Sequence, residues 1–282
     1  MTTIIRTLVS LLIAACLALP AYAAAPNKEA LTKELIKLSG LEQQVRQIPL
    51  QVLAGFAKDG KKLPPQRYAA LRHVLSQAYD AKTLEQHVYE RMSSELTYEL
   101  ATNTLGWLRT DLGRKITKLE EQASTPQAIQ RMGVFAKKLE SSPPSQQRLG
   151  LARRIDLATD ATELLLDITE SSTFGLAMAL DAMLPPDQRQ GEARLRVQMD
   201  RQRPQLREAY QQLSMINALF TYQSLSDAEL ERYVDFLESE LGAQYTTLTN
   251  TALKDALYEA NTHVNRGLAT LFAQWKNRKS EL

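Results

Sequence analysis

The sequence predicts an all-α protein made of two tandem, similar multi-helix modules, arranged as a helical bundle or short helical array. Three observations carry this. Apolar residues recur at three- and four-residue steps through most of the chain, as in Leu241, Tyr245, Leu248, Ala252, Ala256, Ala260, Val264, Leu268, Leu271 and Trp275. Strand signals are missing: there is no sustained alternation of β-branched residues and no Asn-Gly or Asp-Gly hairpin turn. Finally, a series of landmarks occurs twice in the same order.

The first element is not part of the fold. Met1–Arg6 carries one positive charge, Leu8–Leu19 is a short apolar run, Pro20 breaks it, and Ala21-Tyr22-Ala23 supplies the small residues of a cleavage site. Residues 1–23 therefore read as a secretory signal peptide cut near Ala23, which makes the protein periplasmic. A second reading stays open. Ile13-Ala14-Ala15-Cys16 resembles a lipobox, and lipidation at Cys16 would anchor the protein to a membrane. Cys16 is the sole cysteine, so after cleavage at Ala23 the chain has no disulfide and must rely on an apolar core.

The first module spans 24–140. A helix follows Asn27 and stops near Gly40. The next runs from Leu41 towards Lys58, with Pro49 bending or dividing it. Leu63-Pro64-Pro65 opens a third, Asp80 caps a fourth, and Thr97 caps a fifth that ends near Arg109. Thr110 begins another. The stretch Glu140-Ser141-Ser142-Pro143-Pro144-Ser145 has loop residues and no apolar anchor, and reads as the linker.

The second module spans 146–282 and repeats the landmarks. Ile155-Asp156-Leu157-Ala158 follows Ile36-Lys37-Leu38-Ser39, and Leu184-Pro185-Pro186 follows Leu63-Pro64-Pro65. Ala209-Tyr210 follows Ala78-Tyr79, and Leu225-Ser226 follows Leu96-Thr97. The second copy is longer, mostly through an Arg-rich insertion between Asp187 and Gln205. Ser226-Asp227-Ala228-Glu229 is a capping box, in which the Ser accepts from the third helical N–H and the Glu reaches back. Ser239 caps a further helix, with Glu240 in its first turn where the helix dipole favours an acid.

The strongest repeat is Trp107, Thr110, Asp111, Leu112 and Gly113 against Phe236, Ser239, Glu240, Leu241 and Gly242. It reads as a helix–corner–helix joint. The glycines, poor helix formers, permit a close helix crossing. Trp107, Gly113, Phe236, Ser239 and Gly242 are also the candidates for a binding site at the joint.

These residues carry a resemblance. Phe236-Leu237-Glu238-Ser239-Glu240-Leu241-Gly242 resembles the aromatic-Tyr-x-Ser-Pro-Leu-Gly signature of the bacterial family catalogued as domain of unknown function 2059. Ile36-Lys37-Leu38-Ser39-Gly40-Leu41 is similar to the leucine-rich start of its module. The resemblance implies an exported helical protein in two copies and supplies no catalytic residues. Leu237 stands where the family has Tyr, and Glu240 where it has Pro.

Other chemistries find little support. Lys plus Arg is 34 and Asp plus Glu is 32, a balance that points to no nucleic-acid partner. His73, His87 and His263 are scattered, with no Cys pair or H-E-x-x-H, so no metal or cofactor is expected. No P-loop, G-x-G-x-x-G or G-x-S-x-G occurs. Glu170-Ser171 and Glu238-Ser239 are superficially like the Glu-Ser of glycan-cleaving enzymes, but a glycosidase acid needs a protected cleft and a raised pKa. Arg194, Arg196, Arg201 and Arg203 form a basic stretch, read as a solvated helix face or as a contact for anionic lipid or an acidic partner.

The functional expectation is a periplasmic binding or interaction/accessory protein. Its partner would be an envelope protein, a peptide or a lipid held between helices, with a homodimer also open. The alternative is a carboxylate-dependent envelope enzyme such as a cell-wall glycan hydrolase. The two differ in what they require: paired, partly buried acids for the enzyme, a groove with few titratable groups for the binder.

Overall fold

A computed structural model describes residues 27–59, 63–182, 184 and 186–280. Residues 1–23, read from sequence as a signal peptide with Ala23 and Cys16, and the landmark Pro185 lie outside the described residues. Every described element is helical, and no strand occurs among them. No described helix is long and apolar enough to cross a membrane.

The helices, in chain order, are α1 (Lys28–Leu38), α2 (Leu41–Asp59), α3 (Pro65–Ala78), α4 (Ala81–Glu95), α5 (Tyr98–Leu108) and α6 (Asp111–Ala123). They continue with α7 (Pro126–Ser141), α8 (Gln146–Thr159), α9 (Ala161–Ala182), α10 (Gly191–Thr221), α11 (Asp227–Glu238) and α12 (Glu240–Ser280). Local chemistry sets most of these boundaries. Asn27, Asp80, Thr97, Thr110, Ser226 and Ser239 each accept a backbone N–H of the first helical turn. The capping box at Ser226 is complete, since the Glu229 carboxylate accepts from the Ser226 N–H at 2.8 Å. Gly40 turns the chain between α1 and α2 at φ +72°. Asp160 makes the corresponding turn between α8 and α9 at φ +52°.

The outcome at Pro49 is undivided: α2 runs through it. Two breaks are not marked by apolar periodicity. Thr125 caps α7, with Pro126 at its first position, so the helix opened by Thr110 ends at Ala123. The apolar stripe of α12 is likewise separate from that of α11, because Ser239 is extended at φ −67°, ψ 158°.

Two apolar cores form, and each draws on both halves of the chain. One gathers Leu31 and Leu35 of α1, Val45 of α2, Leu84, Val88 and Met92 of α4, and Leu100 and Leu105 of α5. It is completed by Leu248, Ala252, Ala256 and Ala260 of α12. These four sit at i, i+4 spacing, and three are alanine, which lets α12 lie close against α4. The other core gathers Leu151 and Ile155 of α8, Ala218 and Leu219 of α10, and Leu230, Val234 and Leu237 of α11. It is completed by Leu112 and Ile116 of α6. Past its corner, each copy of the repeated joint thus sends its helix into the core of the other half. Burying a side chain such as Leu112 or Leu248 contributes roughly 1.5–3 kcal/mol, so neither half buries its apolar face alone.

Candidate functional site

The repeated joint is the centre of this exchange. At the first copy, Thr110 Oγ1 donates to the Trp107 carbonyl at 2.7 Å and accepts from Gly113 N–H at 3.0 Å. At the second, Ser239 Oγ donates to the Phe236 carbonyl at 2.6 Å and accepts from Gly242 N–H at 3.1 Å. The two corners face each other. The Trp107 and Phe236 rings stack with centroids 3.9 Å apart and planes 13° from parallel, and Tyr233 also stacks on Trp107, at 5.7 Å. Gly113 and Gly242 are both buried. A Cβ on Gly113 would meet Leu108 Cα at 3.0 Å, and one on Gly242 would meet Leu237 Cα at 2.8 Å. The five candidates at the joint are brought together, but by filling space and closing hydrogen bonds on one another.

The basic stretch is not brought together as a patch. Arg203 pairs with Glu163, Asp167 and Glu170, and Arg207 pairs with Glu163. Arg196 pairs with Glu192 and lies 4.4 Å from the Phe174 ring centroid. Arg194 and Arg201 are exposed. The Arg203 contact accounts for Glu170. Glu238 is bound by Arg154, whose guanidinium holds that carboxyl below the usual range, the reverse of a raised catalytic acid. Among the described residues no group of three or more His, Cys, Asp or Glu converges as a metal site.

What the tertiary structure does bring together is Glu120, Tyr222 and Tyr233. Helix α6 buries Leu112, Ile116 and Thr117 on one face, and Glu120 continues that face one turn further. Tyr222 ends α10, and Tyr233 lies on the buried side of α11. Both hydroxyls donate to the same oxygen, Glu120 Oε1, each at 2.7 Å. Their rings meet edge to face, with centroids 5.4 Å apart. Arg148 locks the Tyr222 end, donating to the Tyr222 and Leu225 carbonyls and to Asp227.

The electrostatics are unusual for a surface-rich helical protein. Burial pushes the Glu120 carboxyl above the ordinary glutamate range. The two tyrosine hydroxyls pull it back, and neighbouring Glu121 adds a smaller push upward. Tyr222 and Tyr233 are pushed well above the usual tyrosine range, first by burial and then by the carboxylate they bind. Among the described residues no hydrogen bond or ion pair reaches the second carboxyl oxygen, Oε2. Glu120 is half-buried and lines a cavity of about 410 Å³.

That cavity lies between the halves. Helix α2 contributes Gln44 and Gln51, and α10 contributes Ser214, Asn217 and Thr221. Ile155 and Thr159 of α8 and Ile129 of α7 close the remaining sides. Gln51 donates to the Ser124 carbonyl and so ties α2 to the α6–α7 turn at the cavity wall. Among the described residues Glu120 is the one carboxyl in the lining, and no Lys, Arg or His lines it. The arrangement can accept hydrogen bonds and hold a charge; it has no second carboxylate for acid–base hydrolysis. A larger groove of about 710 Å³ runs along α7 beside Phe135 and Val134, and its charged lining residues are Arg131 and Lys138.

No protein-family model, curated protein or solved structure matches this chain.

Sequence reasoning passed over Glu120, Tyr222 and Tyr233. One signal was present. On α6 an acid occupies the i+4 position after Ile116, on a face otherwise apolar. A charged residue at a core-facing position needs a partner.

Proposed function

We propose that the protein is an exported binding protein, and that the cavity at Glu120 holds a small ligand. One observation carries this. A half-buried carboxyl receives two tyrosine hydroxyls on one oxygen, lines a cavity, and has no ionic partner among the described residues. Holding an acid in that state is costly without a compensating partner. Perturbed acids in concave sites lined by convergent polar groups are marks of a binding or catalytic site. The reading of residues 1–23 as an export signal, and the resemblance to an exported family, support a periplasmic setting.

The enzymatic alternative is less well supported. Glycan hydrolysis by acid–base chemistry needs two carboxyl groups facing one substrate bond. Glu120 has none opposite it in the cavity, and Glu170 and Glu238 are held in ion pairs.

The test is native mass spectrometry of protein recovered from the periplasm, followed by intact mass under denaturing conditions. A small mass that is released on denaturation, and is reduced in Glu120→Gln, supports the reading. Protein that carries no adduct and whose melting temperature is unmoved by a broad panel of periplasmic small molecules would refute it.

A further inference from the structure

We propose that the ligand of this cavity is a small organic cation bearing N–H donors, a protonated amine or guanidinium, and that Glu120 Oε2 receives it. The proposal rests on the reading of the cavity as a binding site.

The hydrogen-bond inventory sets the ligand's polarity. Tyr222 and Tyr233 both donate to Oε1, so that oxygen is already supplied with two donors. Oε2 is the acceptor left over, on a side chain that lines the cavity. Gln51 has given its amide N–H to the Ser124 carbonyl, which leaves its amide oxygen as an acceptor on the same wall. Hydroxyls of Ser214 and Thr221, and the carboxamide of Asn217, add groups able to accept. A donor-rich ligand matches this set.

The charge inventory sets its sign. Among the described residues the cavity lining has one carboxyl and no Lys, Arg or His. Several cations on the surrounding helices are committed elsewhere, and others, such as Lys118 of α6 and Arg153 of α8, do not line the cavity. Arg46 of α2 pairs with Glu42 and Glu85, and Lys115 of α6 with Glu229. Arg148 of α8 holds Asp227 and two carbonyls, and Arg154 of α8 holds Glu231, Asp235 and Glu238. Among the described residues no cationic side chain pairs with Glu120. An anionic ligand would meet an unscreened carboxylate; a cationic one would supply the missing counter-charge through a charge-assisted hydrogen bond. A cavity of about 410 Å³ suits a small molecule.

The experiment compares matched probes on the full mature chain. Butylamine, 1,4-diaminobutane and 4-guanidinobutylamine are titrated beside butanol and butanoate, by calorimetry and by thermal shift at neutral pH. The amines and the guanidine are expected to bind saturably and raise the melting temperature; butanol and butanoate are not. Glu120→Gln keeps an oxygen for the two tyrosines, so it is expected to fold. It should weaken the cation by about 10- to 100-fold, the range for a hydrogen bond to a charged group. Glu240→Gln, which removes an exposed acid at the start of α12, should leave cation affinity within twofold.

Equal losses in both variants would reduce the effect to general surface charge and overturn the proposal. So would cation affinity unchanged by Glu120→Gln. Saturable binding of butanol or butanoate but not of the amines would overturn the cation while keeping the cavity as a binding site. Failure of all five probes, with no co-purified mass, would remove both readings.

Discussion

Replacing Gly242 by Ala isolates what the helix crossing demands. The added Cβ would stand 2.8 Å from Leu237 Cα and 2.9 Å from the Leu237 carbonyl oxygen, with the Phe236 carbonyl closer still. Carbon atoms pack best about 3.5–4.0 Å apart, so the overlap is roughly 1 Å, and the opposing atoms are backbone that no rotamer change can move. Overpacking of this kind costs about 1–3 kcal/mol or more. Ala gains at most about 1 kcal/mol over Gly in a helix, and less so near its start. The net expectation is a loss of roughly 2 kcal/mol, or about 4–8 °C in melting temperature for a chain of this size. Gly106 is the control. It lies inside α5 with nothing within 4 Å of its Cβ position. There the same substitution should stabilise by roughly 0.5–1 kcal/mol. The assay is urea unfolding followed by circular dichroism, with the slope checked for constancy. A Gly242→Ala protein as stable as the parent, or more stable, would refute the close crossing and with it the exchange of α6 and α12 between cores.

Four further outcomes follow from the same structure. Trp107→Ala removes a half-buried ring stacked on Phe236 and Tyr233, and should cost about 3 kcal/mol, the low end for a large aromatic in a core; a midpoint shift in urea under half that size would argue against the stack. Glu120 is raised in the folded state, so its contribution to stability is complete below the unfolded glutamate value of about 4.3 and is lost as pH rises through the higher folded value. Glu120→Gln should therefore gain stability relative to the parent as pH increases from about 4 to 8, measured as the difference in melting temperature across that range; a constant difference would show that burial does not raise the group. Arg148→Met should cost roughly 1.5–3 kcal/mol, because losing a 13 % exposed side chain takes the Arg148 donor from the Leu225 carbonyl and leaves the Tyr222 carbonyl only the Leu225 N–H. Arg154→Met, on a more open face, should cost under about 1 kcal/mol by the same denaturation measurement.

Much of the candidate site escaped sequence reasoning for a physical reason. The residues of the joint are legible because a cap and its target N–H are three positions apart, as in Thr110 with Gly113 and Ser239 with Gly242. The Glu120 site is assembled from positions 102 and 113 residues apart. Nothing within one helical turn of Tyr222 or Tyr233 marks either as the partner of an acid on α6. The Arg-rich stretch was misleading in the opposite sense. Its charges are adjacent in sequence, yet the pitch of α10 turns Arg203 and Arg207 onto acids of α9 and leaves Arg194 and Arg201 in solvent.

The sequence by itself determined the all-α class, the caps at Asn27, Asp80, Thr97, Thr110, Ser226 and Ser239, the turn at Gly40, and the corner chemistry that recurs at Trp107 and Phe236. These depend on contacts within about four residues, where periodicity and side-chain chemistry decide the outcome. Only the tertiary structure decided that α6 completes the core built by α8, α10 and α11, that α12 completes the core built by α1, α4 and α5, and that Trp107 stacks on Phe236 between them. An apolar stripe states that a helix must be covered and is silent on which helix covers it. The two glycines act within their own corners, letting each second helix start close to the end of the first, while the packing between distant helices brings an acid, Glu120, beneath two tyrosines.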